Sequence, residues 1–281
     1  MNETSLTLYS LGSEGWFPSN GQETICFAFM RADELVIIDA GTGICRLMDL
    51  QRTLFKGVWP KIKAAHIFLS HYHFDHVIGL FWVPAILRSI PVTIYAPGES
   101  VYQRPAMEIL DDFFRKPFAP RPFRDHIPGV EVRELNPPDP IDLQLGSESI
   151  KVGLKLNARH SDPSVSLRFG DWFAFVTDTP PEDKTIEFIK GVKVLLHEAY
   201  FDSSAKYGGE EDELEKHIGG PHTGSFGAGL VAKRAGIDRL YLIHHNPEGT
   251  MIEVETAAKN VTNLLGIDCR PARDLGAIEI T

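Results

Sequence analysis

The sequence predicts an α/β protein in which a pair of packed mixed sheets carries helices on the outside. Three observations lead there. Short apolar segments rich in β-formers come in two batches. Segments with helical spacing are interspersed among them. No linker and no internal repeat divides the chain, so residues 1–281 are read as a single domain.

The elements follow in order. SLTLYSL (5–11), TICFAFM (24–30) and ELVIIDA (34–40) read as strands, and SEGWFPSNGQE (13–23) reads as loop from its Gly, Pro, Ser and Asn content. After GTG (41–43), the stretch ICRLMDLQRTLF reads as an amphipathic helix. AAHIFLS (64–70) is a short buried strand, and VIGLFWVPAILR (77–88) a helix that Pro84 should kink. VTIYAP (92–97) is a strand, residues 100–118 are partly helical, and the Pro-rich 119–129 is loop. EVREL (131–135) and the stretch 149–157 read as strands, and 164–178 as a hairpin turning at Gly170–Asp171. KVLLHEA (193–199) is a strand, and the acidic, glycine-bearing 201–222 reads as a mobile loop. Thr223 to Ala235 is a helix, RLYLIHH (239–245) a strand, and 250–265 a final helix.

Composition narrows the function classes. Forty-three per cent hydrophobic residues are enough for a sizeable core. A formal charge of −10 argues against nucleic acid or an anionic membrane as partner, since phosphate binding needs basic surface. No apolar stretch approaches the ~20 residues of a membrane span. The N-terminus lacks the basic and apolar blocks of a signal peptide. Cys26, Cys45 and Cys269 are odd in number and widely spaced, which suits free thiols in a cytoplasmic protein.

The chemistry concentrates at strand ends. SHYHFDH (70–76) puts His71, His73, Asp75 and His76 just past strand 64–70. His160 follows strand 149–157, Asp178 ends strand 172–177, His222 lies before a helix, and His244 ends strand 239–243. Side chains at such ends are held by a rigid scaffold and still reach solvent. A chance H-x-H-x-D-H in a chain of this composition is roughly a one-in-a-thousand event. Taken singly, His160, His222 and His244 are ordinary histidines and Asp178 a turn residue; their order after the motif makes them candidates. In an extended turn His71 and His73 point the same way. A first metal would then take His71, His73 and His160, and a second Asp75, His76 and His244, with Asp178 as the bridge. Imidazole with carboxylate suits two Zn²⁺, and also Mn²⁺ or Fe²⁺. Two ions about 3.5–4 Å apart acidify a shared water into a hydroxide nucleophile. His66, His126, His197 and His217 read as structural or solvated. His245 faces away from His244 and reads as packing or support.

With ELVIIDAGTG before it and a His, an Asp and a final His after it, SHYHFDH resembles the metallo-β-lactamase superfamily, from about Leu6 to Pro247. The resemblance implies a four-layer αββα sandwich with the metals at one edge, and makes Asp39 an aspartate that steadies the metal-binding loop. VTDT (176–179), LLHEAYF (195–201), PHTG (221–224) and RLYLIHHNP (239–247) are similar to the ribonuclease Z and phosphodiesterase branch. There the histidine matching His222 binds or protonates the phosphate, and the one matching His244 is a ligand. The tRNA-gripping arm of ribonuclease Z has no counterpart, because His160 and Asp178 are only a hairpin apart. His222–Thr223–Gly224 replaces the usual His-Ser-Thr, and HHNP followed by Glu248 is closer to bacterial hydrolases ending in His-His-Asp-Pro.

The expected function is a dinuclear metal-dependent phosphodiesterase acting on a small, anionic or short phosphodiester rather than pre-tRNA. Asp75, Asp178 and His222 would be its catalytic residues. The alternatives are a hydrolase of carboxylic esters, thioesters or lactones, a non-catalytic ligand sensor, and mononuclear iron redox chemistry. Tyr72, Phe74, Phe81 and Trp82 would wall an apolar pocket under the ester reading, or simply pack. Arg104, Arg115, Lys116, Arg121 and Arg124 make 101–126 either a lid that attracts an anion or a solvated helix face. Segment 201–222 is a second lid candidate. A homodimer is expected only by analogy with relatives.

Overall fold

The computed structural model describes residues 6–281. The N-terminal segment 1–5, which bears on the signal-peptide reading and on the start of the first strand, lies outside the described residues. The first sheet contains β1 (Leu6–Gly12), β2 (Cys26–Arg31), β3 (Glu34–Ile38), β4 (Ala64–Phe68), β5 (Val92–Pro97) and β6 (Glu131–Leu135). The second contains β7 (Ile141–Leu145), β8 (Glu148–Asn157), β9 (Ser164–Phe169), β10 (Phe173–Val176) and β11 (Val194–Glu198). A two-stranded ribbon, β12 (Ile218–Gly219) and β13 (His222–Thr223), stands apart. Then come β14 (Arg239–Ile243), β15 (Asp268–Pro271) and β16 (Ala277–Ile280).

The two large sheets run β16-β1-β2-β3-β4-β5-β6 and β15-β14-β11-β10-β9-β8-β7. Each is antiparallel over one half and parallel over the other. Helices cover both outer faces, so central strands are apolar on both sides and show no polar alternation. The period of two nonetheless sorts them. Val36 and Ile38 of β3 join the core between the sheets, whereas Leu35 and Ile37 pack against the outer helices. In β10, Phe173 and Phe175 point inward and Ala174 and Val176 outward.

Aromatic edges lock the sheets together. Phe29 meets Phe169 at 5.7 Å and Phe173 at 5.9 Å between ring centroids, and Phe27 meets Phe175 at 5.9 Å. Residues 251–265 form a helix for a local reason. Thr250 and Glu253 make a reciprocal capping box, and Gly266 ends the helix at φ +70°.

Several local expectations need correction. Pro84 does not kink a helix: residues Ile78–Trp82 form a 3-10 turn, and Pro84 sits at the start of the helix Val83–Leu87. There its missing N–H costs nothing, because the first helical N–H groups lack partners anyway. The helix after GTG begins as a 3-10 turn, Thr42–Arg46, and is α-helical only over Leu47–Arg52. The Pro-rich 119–129 contains a helical turn, Phe123–His126, because Phe123 is fully buried. Segment 201–222 is built from 3-10 turns and the β12–β13 ribbon, pinned by buried Ser203, Asp212 and His217. Strands β7, β15 and β16 go unread in the sequence, and β16 returns to the edge of the first sheet beside β1. No described helix is long and apolar enough to cross a membrane.

Phe29→Ala should destabilise the fold by about 3–5 kcal/mol, the usual cost of emptying an aromatic core site. Thr250→Ala should cost about 1 kcal/mol, the value of an N-cap. Denaturant unfolding of both variants checks this order.

Candidate metal centre

The centre is assembled from strand ends of both sheets. Past β4 the chain stays extended through His73, at φ −60° and ψ 150°, and then turns into the helix Phe74–Val77. This puts the His71 and His73 rings 4.5 Å apart and starts Asp75 and His76 on a helical turn. His160 comes from beyond β8, Asp178 from beyond β10, and His244 from beyond β14. Asp39, Asp178 and His244 all take positive φ, between +50° and +55°. Backbone held in that region turns each side chain sharply off its strand end.

Asp178 lies at the middle. Its Oδ1 is 3.9 Å from His71 Nε2 and 3.4 Å from His160 Nε2. Its Oδ2 is 3.2 Å from His76 Nε2 and 3.5 Å from His244 Nε2. Asp75 Oδ2 is 3.3 Å from both His76 Nε2 and His244 Nε2. One set of mutually close donor atoms therefore comprises His71, His73, His160 and Asp178, and another Asp75, His76 and His244, each within 4.8 Å. A third set joins Asp178, His222 and His244.

Hydrogen bonds behind the rings aim them. Asp39 is fully buried. Its Oδ1 accepts the Ser70 N–H at 2.7 Å, and its Oδ2 accepts from Ser70 Oγ and from His76 Nδ1, both at 2.8 Å. Ser70 Oγ accepts from His71 Nδ1 at 3.0 Å. Both imidazoles thus carry their proton on Nδ1 and turn Nε2 inward. A Cβ on Gly41 would lie 2.2 Å from the Asp75 carbonyl oxygen, so glycine there lets the Asp39 loop press against the motif.

The residues fit divalent metal. His71 Nε2 is buried and makes no hydrogen bond, although Nδ1 is satisfied. Such an orphan is costly unless something else binds it. The charge balance agrees. Burial alone pushes the Asp75 carboxyl up, but His76 and His244 outweigh it and hold it well below the usual carboxylate range. For Asp178, burial is likewise overcome, by His244, His71 and His76. Burial presses the His71 imidazole down. His244 is carried up to about 9, against its burial, by Asp178 and Asp75. Two buried carboxylates among imidazoles make a pocket that attracts cations.

A cavity of about 340 Å³ opens beside these donors, lined by Trp16, His73, Phe74, Asp75, His160, Ser161, Asp178, Tyr200, Pro221, His222 and His244. His222 Nδ1 donates to Glu198 Oε2 at 2.8 Å, and its ring stacks on Tyr200 at 4.4 Å. Glu198 is fully buried, and its Oε1 accepts the Thr179 N–H at 2.7 Å. His73 Nε2 pairs with Asp162 at the rim, 3.0 Å away.

The eight residues read as ligands or catalytic groups, His71, His73, Asp75, His76, His160, Asp178, His222 and His244, lie in this one place. Most residues read as pocket wall or lid do not. Tyr72 bonds the Pro97 carbonyl, Phe81 stacks on Phe114 at 4.1 Å, and Trp82 packs into the outer core, which leaves Phe74 in the cavity. Arg104 and Arg124 pair with Asp112 and Asp111 of their own segment. His66, His126, His197 and His217 bind Glu34, Phe81, Glu198 and Ser203, away from the donors. His245 is buried against the Ala272 carbonyl, and burial pushes its imidazole down to about 4. Ser70, Glu198, Tyr200 and Trp16 were not singled out by sequence reasoning. Glu198 had a usable signal, since it ends a strand as Asp178 and His244 nearly do.

Comparison with known proteins bears on the family and the fold. The profile of the β-lactamase superfamily domain matches residues 35–245. Ribonuclease Z of Halorubrum lacusprofundi is 25% identical over 285 residues, covering 85% of this chain and 86% of that protein. The metallo-β-lactamase fold protein YhfI of Bacillus subtilis superposes with a TM-score of 0.69 at 18% identity, over 98% of this chain and 99% of YhfI. The short form of human tRNase Z superposes with a TM-score of 0.65 at 20% identity, over 98% and 99% of the two chains. The architecture, the His and Asp cluster and the match from 35 to 245 lead to one conclusion: the chain belongs to the metallo-β-lactamase superfamily and is a hydrolase of it.

Proposed function

We propose that the protein is a dinuclear metal-dependent phosphodiesterase. The observation that carries the reading is the position of Asp178, whose two oxygens face two different donor sets. His71, His73 and His160 would hold one ion, Asp75, His76 and His244 the other, and Asp178 both. The donors suit Zn²⁺ first, with Mn²⁺ and Fe²⁺ also accommodated. When bound, such a pair lowers the pKa of water towards neutrality and draws charge from the attacked phosphorus.

The chain's own groups do the rest. Asp39 and Ser70 fix the ring orientation of His71 and His76. Glu198 holds His222 by Nδ1, which leaves Nε2 free to donate a proton or a hydrogen bond to the departing oxygen. The names of the ribonuclease Z relatives support phosphodiester chemistry, and they bring RNA back among the substrates to be tried. The charge of −10 and a cavity lined by no Lys or Arg favour a short substrate over a folded RNA. The same lack of cations supports hydrolysis of a neutral ester, thioester or lactone as the second reading. Three unpaired cysteines suit a cytoplasmic enzyme.

Bis(p-nitrophenyl) phosphate with p-nitrophenyl acetate as control tests the two readings. The wild type should bind about two equivalents of zinc and cleave the diester, whereas Asp178→Ala should lose roughly a thousandfold in kcat along with part of its metal. Turnover of the acetate alone, by metal-loaded protein, would favour the second reading.

His222→Ala should lower kcat by about 10²–10⁴-fold with zinc content unchanged, since proton transfer is lost but the donors are not. Glu198→Gln should fall in the same direction by less. Asp39→Asn should instead weaken zinc affinity by about 10–100-fold, read by chelator competition.

A further inference from the structure

Two large aromatic side chains stand exposed on the rim of the cavity that holds the donor cluster. Trp16 is 61% exposed and Phe74 is 62% exposed. Single exposed rings are ordinary, but exposed apolar surface gathered at one cavity, as here, marks a place where something binds. Both are fixed to the centre by the backbone. Trp16 takes φ +58°, and its N–H donates to Asp75 Oδ2 at 2.7 Å. The preceding Gly15 lies against the His244 ring, where a Cβ would come within 2.6 Å, and its N–H donates to the His245 carbonyl. Phe74 immediately follows His73 and begins the motif helix.

Charge decides what kind of group belongs there. Neither Lys nor Arg lines the cavity. One phosphodiester charge would be met by the metals that the donor cluster would hold, but further phosphates would find no partner along the rim. Flat uncharged rings, by contrast, stack on exposed aromatic faces. We propose that Trp16 and Phe74 form an aromatic subsite for a nucleobase or aryl ring carried by the substrate, next to the single phosphodiester that is cleaved. This inference rests on the phosphodiesterase reading and names its substrate class.

The test keeps the leaving group constant. Zinc-loaded protein is assayed on the p-nitrophenyl diesters of methyl, phenyl and thymidine 5′-phosphate. The wild type should prefer the ring-bearing diesters by about tenfold or more in kcat/KM. The phenyl and thymidine arms tell an aryl from a nucleobase preference. In Trp16→Ala and Phe74→Ala the ratio of ring-bearing to methyl diester should fall towards one, and Trp16→Phe should restore it. Equal turnover of all three by the wild type, or an unchanged ratio in both alanine variants, would overturn the subsite. If no diester is cleaved, the phosphodiesterase reading fails by itself. Calorimetric titration of the zinc-loaded protein with phenyl phosphate and methyl phosphate then decides the subsite. Tighter binding of phenyl phosphate that is lost in Trp16→Ala upholds it; equal or absent binding sinks it.

Discussion

The buried carboxylate of Asp39 is the contact on which the rest of the centre depends. It sits at the end of β3 with no access to water, and it accepts three hydrogen bonds. Two come from Ser70, which anchors the loop that leaves β4, and one comes from His76. Through Ser70 the same carboxylate reaches His71. A buried charge is tolerated only when such partners surround it. Here satisfying the buried carboxylate and aiming two imidazoles are one act.

Sheet architecture explains why the donors meet. The parallel halves of the two sheets end in the same region, and β3, β4, β11 and β14 each leave a His, Asp or Glu near it. The core between the sheets is packed by interlocked phenylalanines, which fixes how far apart those ends lie. Close packing resists small displacements. A cluster whose donors stand 3.2–3.9 Å from Asp178 therefore draws its precision from apolar contacts that bear no chemistry.

The surroundings divide into a charged floor and an aromatic rim. Asp178 and Asp75 make the floor acidic, and they keep neighbouring His244 up at about 9 against its burial. The rim carries Trp16, Phe74 and the Tyr200–His222 stack. Glu198 ties the rim to the floor: it holds His222 at 2.8 Å, and its Oε2 lies 3.7 Å from His244 Nδ1. Neither Lys nor Arg lines the cavity between floor and rim.

The sequence by itself determined the fold class, the superfamily and the residues that gather at the centre. Those features are local: a tight His-x-His-x-Asp-His run, apolar strands, and polar residues at their ends can be read without knowing what they touch. It missed β7, β15 and β16, whose strand character comes from pairing at sheet edges more than from pattern. It took 201–222 for a mobile loop because acidic and glycine residues dominate there, while burial of Ser203, Asp212 and His217 became visible only in three dimensions. Tertiary structure alone decided that Trp16 lines the cavity, that Glu198 rather than His197 reaches His222, and that Phe74 is exposed while Phe81 is packed. The physical reason is common to all three. Each depends on the direction of a side chain relative to elements distant in sequence, and composition and spacing do not encode that direction.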